Sequence, residues 1–449
     1  MYKKFWNEEM ETLSTTRQRK LEEMELEKQI EYVYAKSPFY QRKFSEAGIS
    51  PRRIKHIEDL SKLPFTEKGE LRESQEKNPP YGDYLATKKE KIVRVHRTAG
   101  STGKALYSAL TKKDLKQTND VGARCFWAGG LRPHHTVVHC LNYCLWMGGF
   151  TDHTNLETTG ATVVPFGVRN SNLLVRVIKE IGINAISSTP SYPNYLVDVV
   201  RSELGVEPIE LGLQLGLFGG EPGLEDPNFK KILEETWGMR ASNANYGMAD
   251  VLCTFASECD EVRDLHFLAQ GALIAQLIDP ETGEDKKIEE GIQGELVYTN
   301  LAREAQPLLR LRSHDMALIV RTGLCKCGRT GFRFKMIGRS DDMLHLKGVN
   351  VFPSGISEVL MAMRPDVTGD FLVLLDKPGP YTSLNLRVEY GVGIRPEDLE
   401  GLKKKIQTKI RDLLTFHAEI ELVPPKSIPK PEGGKVKRII RLYAGETVS

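Results

Sequence analysis

No apolar run in this 449-residue chain approaches the roughly 20 residues a helix needs to cross a bilayer. The opening residues, Met1-Tyr2-Lys3-Lys4-Phe5-Trp6, lack the uninterrupted apolar core of a signal peptide. A dominant charge is missing as well. Lys and Arg number 62 against 60 Asp and Glu, a net +2, so nothing in the bulk charge draws the chain to nucleic acid or anionic lipid. Cysteine is sparse: seven, an odd count at scattered spacings, which argues against a disulfide scaffold. Internal repeats and low-complexity linkers are absent too. These exclusions predict a soluble protein in a reducing, cytoplasmic setting, with neither nucleic acid nor membrane as partner. What remains, 40% hydrophobic and 27% charged residues, is ordinary globular composition, and the length suggests two or three domains.

Residues 7 to 46 are rich in Glu, Lys, Arg and Leu at helical spacing. They read as surface helices whose charge runs are solvated faces. From 88 to 250, strand-like runs (Thr136 to Leu141, Thr162 to Phe166, Ala185 to Ser188, Leu213 to Phe218) alternate with amphipathic stretches such as Ser171 to Ile181 and Tyr192 to Val200. That alternation predicts a parallel sheet with helices on both faces. From 251 to 338 the pattern turns to β, and from 339 to 449 it suggests a small α+β domain with a helix at Pro396 to Leu414. The polar turn at Gly338-Arg339-Ser340-Asp341 predicts a hinge between domains 1–338 and 339–449.

The stretch Thr98-Ala99-Gly100-Ser101-Thr102-Gly103-Lys104 follows an apolar run. Glycines let backbone N–H groups face an anion, and hydroxyls and an ammonium add donors, so phosphate is its natural guest; a plain polar hairpin is the alternative. It is not a P-loop. Two residues, not four, separate Gly100 from Gly103, and Ala105 stands where the magnesium-binding hydroxyl belongs. Five further motifs follow in order: Gly219-Gly220-Glu221-Pro222; Asn245-Tyr246-Gly247-Met248-Ala249-Asp250; Pro307 to Asp315; Gly338 to Glu358; and Ser427 to Arg438. This order resembles the acyl-adenylate-forming enzymes and, within them, the phenylacetate–CoA ligase family, over nearly the whole chain.

The resemblance implies a large multi-sheet α/β N-terminal domain and a small mobile C-terminal one. It also implies a chemistry. A carboxylate is a poor acyl donor, so ATP first converts it to an acyl-AMP with loss of pyrophosphate, and the thiol of coenzyme A then displaces AMP. Charge moves on phosphate oxygens in both steps, which positioned cations and donors stabilise. By the resemblance, Thr98, Gly100, Ser101, Thr102, Gly103 and Lys104 embrace the β- and γ-phosphates. Gly220, Glu221, Pro222, Tyr246 and Gly247 belong to the nucleotide site, with Tyr246 stacked on adenine. Asp250, where the family usually has Glu, would hold Mg²⁺ or else cap a helix. Asp315 would accept both ribose hydroxyls, Arg339 would lie near the nucleotide, and Asp341 would be the hinge. Lys435 would be the adenylation lysine, with Lys437 its rival because Gly433-Gly434 is one residue longer than usual. Gly348 would face the pantetheine tunnel. His314 is assigned no role.

Cys259 and His266, with Cys325 and Cys327, form two N/S pairs suited to tetrahedral zinc; the resemblance supports a structural zinc in the β-rich part, with Cys253 as substitute ligand. Cys125, Cys140 and Cys144 read as core residues. The acid would lie among Tyr143, Trp146, Gly148, Phe150, Gly219 and Met248, a flat apolar slot suited to an aryl acid. His96, His134, His135 and His153 are candidates to read polar substituents. The sequence thus predicts an ATP- and Mg²⁺-dependent ligase of an aryl or arylacetic acid and coenzyme A, with self-association as a homodimer left open. Two alternatives stand: adenylation with another acceptor, either a carrier protein or a cofactor that receives AMP, and a zinc-containing binding protein with an inactive ATP site.

Overall fold

The computed structural model describes residues 2–98, 105–346, 349–429 and 437–447. They fall into two compact units, the larger made of Met1–Glu225, Lys230–Ser313 and Ala317–Lys335, the smaller of Asp226–Phe229, His314–Met316 and Met336–Ser449.

The larger unit begins with the helices Glu8–Glu11, Thr15–Lys36 and Pro38–Glu46. Ser14 caps the second by accepting from the Arg17 N–H, and Leu26, Ile30 and Val33 at spacings of four and three form its buried stripe. The charge runs of these helices are not uniformly solvated, which corrects the sequence reading. Glu11 is fully buried and Glu22 nearly so. Each meets a partner distant in sequence that a helical pattern does not reveal.

Beyond them, five strands run parallel in the spatial order Thr162–Pro165, Thr136–His139, Ala185–Ser188, Leu215–Gly219 and Arg240–Met248. The inner strands Ala185–Ser188 and Leu215–Gly219 are buried at every position, as sheet covered on both faces requires. The helix Ser171–Ile181 leads from Thr162–Pro165 to Ala185–Ser188, and Tyr192–Leu204 from there to Leu215–Gly219; the first buries Leu174, Val175 and Ile178. The alternating pattern therefore gives the expected α/β layers. From Arg240–Met248 the sheet continues through antiparallel partners, Leu252–Ser257 and then Leu265–Phe267, into the β-rich part. Among the described residues this sheet has twelve strands. A separate hairpin, Ile92–Arg97 with Tyr107–Thr111, flanks the glycine-rich loop.

In the smaller unit, four strands lie in the order Ala418–Val423, Leu384–Tyr390, Val367–Leu375, Ile439–Arg441. The helices Pro353–Met361 and Leu399–Leu414 contribute Val359, Leu360, Ile406 and Ile410 to a core shared with Phe371 and Val388.

Candidate active site

Close backbone approach explains the glycines at the strand ends. A Cβ on Gly219 would lie 2.2 Å from the Asn245 carbonyl oxygen, and one on Gly247 would lie 1.7 Å from that of Cys253. Gly220 turns the chain out of its strand at φ +83, where a side chain is strained. Glu221 then accepts from the Ser191 N–H at 2.8 Å. Tyr246 is set edge-on between Phe255 (5.3 Å) and Phe334 (5.4 Å), and its hydroxyl reaches Tyr298 at 3.2 Å. Two residues past Met248, Asp250 is buried, and its carboxylate meets the Lys68 ammonium at 2.8 Å. The fully buried Arg303 donates to the Val251 carbonyl at 2.9 Å and adds positive potential at Asp250. Lys68 and Arg303 carry no motif signal; only the folded chain brings them to this acid.

The segment 142–150 builds a second wall. Asn142 turns the chain by accepting from the Cys144 N–H at 2.9 Å, and Leu145 takes a left-handed φ of 61°. The turn carries Cys144 to the surface, so it is not the core residue the sequence suggested; Cys125 and Cys140 are buried. The helix Met147–Thr158 then starts after Trp146, which is half-buried. Its first turn is tight: a Cβ on Gly149 would lie 2.1 Å from the Asn142 carbonyl oxygen. Phe150 stacks on the His153 ring at 5.9 Å, and the Tyr143 hydroxyl bonds to His153 Nδ1 at 3.0 Å. His153 also faces Glu157 at 3.1 Å.

The other histidines separate. His96 reaches the Thr151 hydroxyl at 2.8 Å, and burial pushes its pKa down to about 4. His139, not singled out from sequence, sits beneath the wall with Nε2 at the Gly148 and Gly149 carbonyls; burial lowers it to about 4 as well. Both rings are therefore neutral near pH 7. His134 stacks on Tyr2 at 5.5 Å and lies tilted against His135 at 4.1 Å, next to the N-terminal segment.

In the smaller unit, Arg339 donates to Asp315 at 2.8 Å and to both Asp341 oxygens at 2.8 Å. Burial works against its charge, but Asp341 and Asp315 outweigh that and hold the guanidinium above its ordinary range. His314, at a left-handed φ of 60°, meets the Ser340 hydroxyl at 3.1 Å. Lys437 pairs with Glu446 at 2.8 Å on the surface. Thr98 closes the base of the glycine-rich loop, its hydroxyl accepting from the Leu106 N–H at 2.9 Å. Gly100, Ser101, Thr102, Gly103, Lys104, Gly348 and Lys435 lie outside the described residues.

Cys259, His266, Cys325 and Cys327 converge although 58 residues of sequence separate the two pairs (325 − 267). All four are buried, with ligand atoms within 4.8 Å of one another. His266 Nδ1 has no hydrogen-bond partner among the described residues. Three thiols and an imidazole whose Nδ1 is unsatisfied suit a soft tetrahedral cation. Cys253 lies apart, its sulfur on Asp152. Behind the cluster, Arg329 donates to the fully buried Glu11 at 2.7 Å, and the Thr330 N–H to the Glu11 carbonyl at 3.1 Å. Phe5 lies under the Arg329 guanidinium at 5.2 Å.

A parallel sheet whose strand ends meet a glycine-framed tyrosine, with a separate smaller α+β unit, fits the architecture expected of the adenylate-forming CoA ligases. The profile described as "AMP-binding enzyme C-terminal domain" matches residues 348–442. The chain is 34% identical to the phenylacetate-coenzyme A ligase of Thermus thermophilus, covering 97% of this chain and 98% of that protein. It is 32% identical to that of Aromatoleum evansii, over 96% and 97%. The chain belongs to the phenylacetate–CoA ligase family and is an AMP-forming acid–CoA ligase. Among solved structures, 2-hydroxyisobutyryl-CoA ligase in complex with 2-HIB-AMP superposes with a TM-score of 0.89 at 29% identity, over 99% of this chain and 94% of that one. MatB from Rhodopseudomonas palustris (TM-score 0.58, 16% identity, 79% and 69% covered) shares the fold.

Proposed function

We propose that this ligase activates an aryl or arylacetic acid. The observation that carries the reading is the aromatic wall of Tyr143 and Phe150, whose rings lie 6.5 Å apart at the start of a glycine-framed helix. Trp146, Gly148, Gly219 and Met248 complete the slot. Tyr246 and Gly247, with Gly220, Glu221 and Pro222, receive adenine, and Asp315 accepts the ribose diol, held for it by Arg339. Thr98 and the loop Gly100, Ser101, Thr102, Gly103 and Lys104 embrace the pyrophosphate. Lys435 contacts the acid carboxylate and the α-phosphate as they approach. Lys437, already paired with Glu446, is the weaker candidate. The unit from Met336 onward then turns about Asp341 and brings Gly348 to the pantetheine arm.

Asp250 offers the oxygen chemistry that magnesium takes, and Lys68 is the group it must share that carboxylate with. Magnesium supplies charge neutralisation between phosphate oxygens. Cys259, His266, Cys325 and Cys327 hold a structural zinc, which staples two distant segments. The protein works in the cytoplasm, and a homodimer is compatible with this reading.

A panel of benzoates, phenylacetates, aliphatic acids and 2-hydroxyisobutyrate, assayed for pyrophosphate release with and without coenzyme A, tests the reading. Arylacetic or aryl acids are expected to give kcat/KM at least 10-fold above the others. A preference for the small hydroxy acid, the substrate named for the 2-hydroxyisobutyryl-CoA ligase, would overturn the aromatic assignment. Acyl-AMP that coenzyme A fails to discharge would instead point to another acceptor.

A further inference from the structure

Asp152, on the helix Met147–Thr158, is fully buried and forms no ion pair among the described residues. An unpaired carboxylate taken out of water is costly unless hydrogen bonds surround it. Here four donors do. Oδ1 accepts from the Thr254 hydroxyl at 2.8 Å, the Cys253 thiol at 3.1 Å and the Asn155 amide at 3.2 Å. Oδ2 accepts from the Asn245 amide at 2.6 Å. The Thr254 oxygen also lies 2.6 Å from Asn245 Oδ1, so its single proton is shared between that oxygen and Asp152 Oδ1. Asn155 lies three residues on along the same helix, but Asn245, Cys253 and Thr254 are 93 to 102 residues away along the chain, on the strands Arg240–Met248 and Leu252–Ser257.

What these partners carry matters more than their number. Asn245 directly precedes Tyr246-Gly247, and its backbone presses on Gly219, where even a methyl group would be blocked at 2.2 Å. One turn before Asp152, the same helix carries Gly148, Gly149 and Phe150 of the acid wall. A Cβ on Gly148 would approach Asp152 Oδ2 to 3.3 Å, so the carboxylate lies directly behind that wall. A single buried group is thus bonded to the backs of two surfaces that must present a carboxylate and an α-phosphate to each other. We infer that Asp152 is a positioning residue for adenylation, which sets the acid wall against the nucleotide strand through Asn245. This rests on the placement of acid and adenine proposed above. In-line attack tolerates little misplacement, and an error near 1 Å costs on the order of 100-fold in rate.

The test uses the full-length enzyme. In Asp152→Asn an amide donor faces the Asn245 amide, and the bond is lost. In Asp152→Asn/Asn245→Asp the same bond re-forms with donor and acceptor exchanged. We expect the single variant to lower kcat for acid-dependent pyrophosphate release by about 10- to 100-fold. The ATP KM should change less than about threefold and the double variant should recover most of the loss, as a loss of alignment rather than of binding requires. A single variant with a lowered thermal midpoint but wild-type kcat per folded molecule would make Asp152 merely structural and overturn the inference. A double variant no better than a folded single one would do the same. If the single variant does not fold, Thr254→Val, which removes one donor and leaves the carboxylate, decides: reduced kcat at constant ATP KM supports the role, and wild-type kcat overturns it. Tyr246→Ala in the same assay separates the two layers. An unchanged ATP KM there would refute the nucleotide placement itself.

Discussion

Glu22 shows at the residue scale how far a helical pattern can mislead. It lies in a Glu-rich helix, yet it is buried, and burial raises its carboxyl pKa to about 7 against hydrogen bonds from Gln18 and Gly271. A carboxyl raised in the folded state favours folding while protonated. That contribution is complete below the unfolded value near 4.5 and is lost as pH rises toward 7. Glu22→Gln is therefore expected to raise the thermal midpoint at pH 8 and to leave it nearly unchanged at pH 4, read by calorimetry at both values. A drop at pH 8 would mean that Glu22 is ionised and held by a partner. Short motifs fared differently from such isolated charges. Tyr246-Gly247 is legible because the reason for the glycine is local: the neighbouring strand passes too close for a side chain. Asp152 and Lys68 gave no signal, since neither sits in a motif, and Asn245 and Asp250, which they meet, lie about a hundred residues or more away.

Among elements, the N-terminal segment and the cysteine knuckle form one assembly. Glu11 and Arg329 are a buried pair, and breaking such a pair from one side leaves an uncompensated charge. The alternation of strands and helices exposed the parallel sheet directly, because strands covered on both faces are largely made of apolar and small residues, as in Leu215–Gly219. The pairing of Cys259 and His266 with Cys325 and Cys327 was suggested by resemblance, and the folded chain places the four side chains together. The clamp by Glu11 was invisible, since a lone Glu in a charged stretch looks solvated. For the proposed zinc, metal analysis of protein purified without added zinc is expected to find about one ion per chain. Cys325→Ser is expected to lower zinc content and thermal midpoint together, with turnover of the folded fraction nearly unchanged, because metal binding is coupled to folding. Metal-free protein of full stability would remove the site, and a folded but inactive variant would make the metal catalytic.

For the whole molecule, the order of motifs carried more than any one of them, and the relatives' near-complete coverage of the chain agrees with it. Two half-reactions need different groups. Lys435→Ala is expected to cut acyl-AMP formation by on the order of 10²–10³ while sparing thioester formation from supplied acyl-AMP. Equal loss in both would point to Lys437 or to another role. The most direct test of the central claim is acid-dependent exchange of labelled pyrophosphate into ATP without coenzyme A. Formation of a bound acyl-AMP predicts exchange that requires the acid and proceeds with no thiol present. Exchange that waits for coenzyme A, or release of ADP and phosphate in its place, would contradict it.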